Sequence, residues 1–179
     1  MKRPIIFLTL VLILYILVGC KEKEEMAELE AMKAQAEVEE QNKAVVVESL
    51  RGIDDQDWER LRELWAEDIS VYSLDKPEPF GREDTIEYIQ AFYTAFPDNV
   101  HDIHEIIAEG DFVAVMLTNT GTHQEDFFGI PGTGNTISVG AMHLVKVLDG
   151  VVVEWWLLDD NLGLMQQLGM ELRPAALEE

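Results

Sequence analysis

One cysteine, few positive charges and no apolar run long enough to span a bilayer set the first limits on this 179-residue chain. A lone cysteine has no intramolecular disulfide partner, which directs attention to its modification instead. Lysine and arginine number 13 against 35 aspartates and glutamates, a formal net charge of −22. A surface of that sign repels phosphate backbones and anionic headgroups, so nucleic acid is not an expected partner. The longest apolar run, Ile5 to Val18, falls short of the roughly 20 residues that cross a membrane as a helix. His101-Asp102-Ile103-His104-Glu105 invites a metal reading. On a strand, however, residues three apart point to opposite faces, so His101 and His104 cannot share an ion. Gly129 to Gly134 has G-x-x-G spacing, but no lysine follows and the segment lies between strands rather than at a helix start, which excludes a phosphate cradle. No metal and no cofactor is expected.

What is present begins with a three-part leader over residues 1–19. Lys2 and Arg3 are positive, Ile5 to Val18 is nearly all apolar, and Leu17-Val18-Gly19-Cys20 closes the run with small residues before the cysteine. This pattern fits an export signal better than an anchor. Its ending resembles the lipobox of bacterial lipoproteins. The resemblance implies cleavage before Cys20 and lipidation of its sulfur, placing the mature protein in the cell envelope, on the extracytoplasmic side of a bacterial membrane. Loss of Lys2 and Arg3 leaves 11 basic against 35 acidic residues, or −24. Residues 20–40 are rich in Glu, Lys, Ala, Met and Gln without Gly or Pro, a charged helical spacer by composition. Its apolar positions Met26, Leu29 and Met32 are too sparse for a coiled-coil seam.

The remaining chain is sized for one domain over residues 41–170, with a tail at 171–179. Ala44, Val45, Val47 and Leu50 lie on a helix that Arg51-Gly52 is expected to end. Asp54 or Asp55 could cap a second helix from Asp57 to Glu67, whose Trp58, Leu61, Leu64 and Trp65 share one face. Ile69 to Leu74 reads as a short strand, Lys76-Pro77-Glu78-Pro79 as a loop, and Arg82 to Phe96 as a third helix closed by Pro97. The period then changes from 3.6 to 2. Val100 to Glu109, Phe112 to His123 and two apolar runs between Thr136 and Asp160 read as strands. The pattern is α+β: three N-terminal helices on a curved, four-to-six-stranded, mostly antiparallel sheet, with a short C-terminal helix. Such a cone leaves a cavity between sheet and helices, suited to a small apolar ligand.

Several strings carry a family resemblance. Ala95-Phe96-Pro97-Asp98, Gly121-Thr122-His123, Phe128-Gly129-Ile130-Pro131, Thr133-Gly134 and Asp160 to Gly169, with its Leu162-Gly163-Leu164-Met165-Gln166-Gln167-Leu168-Gly169, resemble SnoaL-like polyketide cyclases, also called ester cyclases. The resemblance spans Gln41 to Met170. It implies the conical α+β barrel shared with nuclear transport factor 2 and steroid Δ-isomerase, a ligand pocket, and dimers or tetramers, a homodimer being expected here. In the family's cyclases an aspartate of the last strand moves a proton between carbon and oxygen during an intramolecular aldol closure, helped by pocket histidines. Matched onto this chain, the pocket histidine falls on His143, but the aspartate falls on Leu157. Positions that are histidine and glutamine in one such cyclase fall on Trp155 and Ala141.

Hairpin geometry gives an independent register. With a three-residue loop Leu148-Asp149-Gly150, Val147 pairs with Val151, His143 faces Trp155 and Ala141 faces Leu157, all on one face with Val145 and Val153. Met142, Leu144, Trp156, Leu158 and Asp160 take the other face. A two-residue loop would swap the sets. His143 is then the leading candidate for a base, since a neutral imidazole titrates near working pH. Asp160 could assist at the strand end, although Asp160-Asn161-Leu162 also reads as a helix cap. Asp159 reads as a solvated end residue, and His123 as a residue of the pocket mouth. Two functions follow: a lipid-anchored protein that binds a small apolar molecule and has lost the chemistry with the aspartate, or a cofactor-independent cyclase or isomerase with His143 as general base.

Overall fold

The computed structural model describes the backbone of residues 3–74, 76–171 and 173, and the side chains of those from Lys21 onward. The leader's side chains, Cys20 included, and most of the tail therefore lie outside the described residues. Helix α1 covers Arg3–Asp54, and the chain divides into two units, Met1–Val38 and Glu39–Glu179. In the first unit every side chain from Lys21 to Val38 is exposed. Among the described residues no helix is long and apolar enough to cross a membrane.

The second unit holds the rest of α1, α2 (Trp58–Leu64), β1 (Trp65–Ser73), α3 (Arg82–Ala95), β2 (Val100–Glu109), β3 (Phe112–Thr122), β4 (Thr136–Leu148), β5 (Val151–Asp159) and α4 (Asn161–Gln167). The strands form one sheet in the order β1-β5-β4-β3-β2. All neighbours are antiparallel except β1 and β5, which run parallel. The expected α+β class is the observed one. The sheet stays open, with β1 and β2 as edges, rather than closing into a barrel. Val46, Leu50 and Ile53 of α1, Leu61 of α2 and Ile86 and Tyr93 of α3 meet Val113, Val115, Val145 and Trp155 of the sheet in the main core. A second cluster gathers Phe96, Phe127, Ile137, Val139, Leu164 and Leu168 near α4.

Three boundaries differ from the sequence reading. Helix α1 does not end at Gly52 but continues to Asp54. The glycine serves packing there, because an added Cβ would sit 3.0 Å from Leu61 Cδ2. Asp57, rather than Asp54 or Asp55, caps α2 by accepting from the Arg60 N–H at 3.0 Å. Helix α2 stops at Leu64, and Trp65 already belongs to β1, paired with Val152. The helical period there is overruled by sheet pairing and by the Trp65 indole, which donates to Ser49 Oγ at 3.2 Å.

The β4–β5 hairpin decides which side chains face the helices. Its loop is two residues, Asp149 and Gly150, both left-handed (φ 51° and 78°), and Leu148 pairs with Val151. That is the primed turn favoured by Asp-Gly. Taken alone it would pair His143 with Trp156 and put Trp155 and Leu157 on the opposite face from His143. Beyond Val147↔Val152, however, the register shifts and Lys146 pairs with Glu154, leaving Val153 as an extra residue. Such a bulge restores the original parity. His143, Ala141, Trp155 and Leu157 thus share the inner face as expected, but the partners have slid by two: His143 faces Leu157, Val145 faces Trp155, and Ala141 faces Asp159.

Candidate functional site

The inner face of the sheet and the helices α1, α3 and α4 enclose a cavity of about 130 Å3. Leu50, Ile53, Val71, Ile89, Phe92 and Leu164 give it an apolar wall. Against this wall stand Tyr93, Asn99, His101, Asn119, His143 and Asp159. Polar groups set into an apolar cavity wall orient a ligand more than they bind it, because each buried group is costly unless paired.

His143 lies mid-strand in β4, where alternation turns it inward, and is 4% exposed. Its Nε2 lies 3.3 Å from Asp159 Oδ1. With Nε2–H donating to the carboxylate, the neutral ring carries its lone pair on Nδ1. That Nδ1 is buried and has no hydrogen-bond partner. Trp155 packs edge-on against the ring at 5.9 Å between centroids, and its own indole N–H is buried without a partner. The site therefore holds one oriented proton acceptor and one unpaired donor, both buried in the cavity wall.

A second histidine–carboxylate pair borders the same cavity. His101 Nδ1 lies 2.6 Å from Asp54 Oδ1, and the same carboxylate accepts from the His101 backbone N–H (3.2 Å to Oδ2) and from Tyr93 Oη (2.8 Å). Burial works against the charge on Asp54, but the hydrogen bonds from His101 and Tyr93 outweigh it and hold its carboxyl below the ordinary carboxylate value. Burial also pushes the Tyr93 phenol up. The hydroxyl therefore stays protonated and acts as donor to Asp54. His104, one face away, reaches Thr118 Oγ1 at 2.7 Å instead. Among the described residues no three His, Cys, Asp or Glu side chains gather where they could hold an ion.

The sequence-derived candidates separate on this geometry. His143, Trp155 and Leu157 line the cavity together. Ala141 is buried next to Asp159 in the sheet and contributes no cavity wall. His123 is fully buried rather than at a mouth, stacked on Phe96 at 5.0 Å, with Nδ1 accepting from the Thr133 N–H at 3.3 Å. Asp160 is exposed and caps α4 by accepting from the Gly163 N–H at 2.8 Å, so the cap reading describes it and Asp159 is the carboxylate beside His143. Trp156 takes the other face and stacks on Tyr72 at 5.2 Å. Sequence reasoning missed the role of Asp159, because only the two-residue slide of β5 against β4 brings it beside His143, and it missed the Asp54–His101 pair, whose members are 47 positions apart. In the Gly129–Gly134 turn the glycines serve the backbone: Gly129 and Gly134 are left-handed, and an added Cβ at Gly132 would collide with the Gln124 carbonyl oxygen.

Fold and site together define a class: an open α+β sheet covered by helices, with an apolar cavity whose polar side is built from histidine–carboxylate pairs. Comparison with known proteins narrows it. The model of the SnoaL-like polyketide cyclase family matches residues 44–168, and the chain belongs to that family. Aklanonic acid methyl ester cyclase DnrD of Streptomyces peucetius is 32% identical over 95 residues, a match covering 52% of this chain and 65% of that enzyme, just under two thirds of its length. The structure of IdmH from Streptomyces antibioticus superposes with a TM-score of 0.65 at 29% identity, covering 72% of this chain and 99% of IdmH. AclR from Streptomyces galilaeus gives 0.66 at 31% identity, covering 75% and 97%.

Proposed function

We propose that the chain is a working cyclase-type member of its family, acting on a small, mainly apolar carbonyl compound through acid–base chemistry carried by its own side chains. The observation that carries this reading is His143: buried in the cavity wall, oriented by Asp159 through Nε2, with an unpartnered Nδ1. Nδ1 removes a proton from a carbon next to a carbonyl, giving an enolate. The enolate carbon attacks a second carbonyl of the same molecule, and the displaced π pair goes to that oxygen. The oxygen then takes the proton back from the imidazolium, which returns His143 to its neutral form. A positioned base of this kind contributes roughly 10²–10⁴-fold. The carboxylate that the family places at Leu157 is replaced here by Asp159, the next inward residue of β5, about 6.6 Å further along a strand. Working through the imidazole, Asp159 is a positioning residue.

Leu157 itself favours a second reading, in which the pocket binds an apolar molecule and no longer turns it over. Keto-ester and dienone panels separate the two. Turnover of any member supports the enzyme, whereas a raised Tm with apolar ligands and no turnover across the panel leaves binding alone.

In the same reading the mature protein is held on the extracytoplasmic side of a bacterial membrane by a lipid on Cys20, which the Leu17-Val18-Gly19-Cys20 string supports. Palmitate labelling that persists in Cys20→Ala would end that part of the proposal. The protein also pairs with a second copy through the outer face of the sheet. Met116, Met142, Leu144 and Leu158 are 38–52% exposed on that face, where a solvated sheet would carry polar side chains. Met142→Glu is expected to convert a dimer to monomers in sedimentation, with the fold retained by circular dichroism. A wild-type monomer, or an unaffected dimer, contradicts this.

A further inference from the structure

Three inward residues of β5 follow one another along the cavity wall: Trp155, Leu157 and Asp159. His143 opposes Leu157 on β4, so its ring stands between the other two, with Asp159 on Nε2 and the Trp155 indole packed beside it. The acid–base chemistry uses the imidazole and the carboxylate. It leaves the indole N–H without a role.

Trp155 is 2% exposed, and its Nε1 is buried with no hydrogen-bond partner. Trp65, 5.6 Å away between ring centroids, is satisfied by contrast, its indole donating to Ser49 Oγ at 3.2 Å. A buried donor without an acceptor has given up its hydration for nothing, and a ligand that brings an acceptor recovers that cost. An indole N–H only donates, so the direction of such a bond is fixed without any choice of tautomer. The ring faces of Trp65 and His143, each set edge-on against Trp155, are weak acceptors in comparison with an oxygen.

The acceptor that fits is the oxygen next to the carbon that His143 deprotonates. As the C–H pair becomes the new C=C bond, the carbonyl π pair moves onto that oxygen. A fixed donor aimed there stabilises the enolate more than the ketone, which is what lowers a barrier. A donor about 2.9 Å from the oxygen and a base about 3–3.5 Å from the carbon stand roughly 5–7 Å apart across the O–C–C unit. The ring centroids of Trp155 and His143 are 5.9 Å apart. Leu157 contributes by being a hydrocarbon: a carboxylate at that point of the wall would repel the developing negative charge.

We infer that the Trp155 indole N–H donates to the carbonyl oxygen of the bound compound and stabilises its enolate, which makes Trp155 a second catalytic residue beside His143. The indole keeps its proton throughout. The proton taken from carbon stays on His143 until the ring-closing step returns it to oxygen. This rests on the acid–base reading of the cavity proposed above.

Two measurements on the intact chain test it. In the first, the indole N–H signals of isotope-labelled protein are followed by NMR with the ring ketone 2-tetralone and with tetralin, which keeps the rings and lacks the oxygen. 2-Tetralone is expected to move the Trp155 signal downfield, and tetralin is expected to leave it in place. Changing each of the 4 tryptophans to Phe in turn assigns the signals, and where Trp155→Phe does not fold the other variants assign its signal by elimination. In the second, Trp155→Phe is expected to lower the saturated rate of deuterium uptake by 2-tetralone from D2O roughly 10²-fold. The half-saturating concentration should stay within about threefold of wild type, whereas a tryptophan that only packs would shift that concentration and leave the saturated rate. A Trp155 signal unmoved by 2-tetralone that binds and raises Tm, or an unchanged saturated rate in Trp155→Phe, overturns the role of Trp155 and leaves His143 as the base. A moved signal without deuterium uptake in the wild type overturns the acid–base reading and the enolate role with it. No binding of 2-tetralone overturns both.

Discussion

His143→Ala is expected to lower kcat for cyclisation of a keto-ester substrate by roughly 10²–10⁴-fold, with affinity for an apolar ligand within about threefold of wild type. The separation follows from where the ring sits. The apolar wall that binds comes from Leu50, Ile53, Val71, Ile89, Phe92 and Leu164, none of which touches the proton in flight. His143 alone combines burial, a carboxylate on Nε2 and an unpartnered Nδ1. Asp159→Ala should lower kcat less, by about tenfold, and leave KM in place, because it orients the acceptor without being the acceptor. A rise in KM with unchanged kcat would place both residues in ground-state binding instead.

The second large effect is on stability. Asp54→Ala should cost about 2–4 kcal/mol in urea denaturation, since it strands the Tyr93 hydroxyl, the His101 backbone N–H and the His101 ring at once. Tyr93→Phe removes one neutral donor and should cost about 1 kcal/mol. The same carboxylate sets an acid limit. Its folded pKa lies below the ordinary value of 3.8, so the stability it contributes is fully present above that value. It is lost as the pH falls through the lowered folded value. Tm against pH should therefore drop below about pH 4 in the wild type, and drop less in Asp54→Asn, which starts lower. A wild-type curve parallel to that of Asp54→Asn through this window would show that the carboxylate carries no such charge in the fold.

How much of this the chain discloses depends on how local each cause is. The strand pair Val100–Glu109 and Phe112–Thr122 is legible almost to the residue, because alternation and the left-handed Gly110 between them are adjacent signals. Trp65 reads as helix because its neighbours have helical spacing, while the strand that claims it, β5, begins 86 positions later at Val151. In the β4–β5 hairpin the Asp149-Gly150 turn is readable as a two-residue loop. The bulge at Val153 is not, because it arises from the parallel and antiparallel neighbours that β5 must satisfy together. The faces nonetheless come out right, since the turn and the bulge each shift the register by one. The site suffers more from this than the fold does. A slide of two residues moves Asp159 from the strand's edge to the side of His143, and the Asp54–His101 pair is created only when the end of α1 meets the start of β2. Polar pairs of that kind have no period, and a sequence shows them only as unexplained acids and histidines.

The central claim is that His143 takes a proton from carbon, and it can be tested without knowing the natural substrate. 2-Tetralone, a ring ketone of naphthalene size with acidic C–H bonds next to its carbonyl, should take up deuterium from D2O faster in the presence of the intact protein than in buffer. The acceleration should vanish in His143→Ala and persist in Asp160→Ala, whose carboxylate caps α4 outside the cavity. Exchange no faster than in buffer, or equally fast with wild type and His143→Ala, would contradict the account.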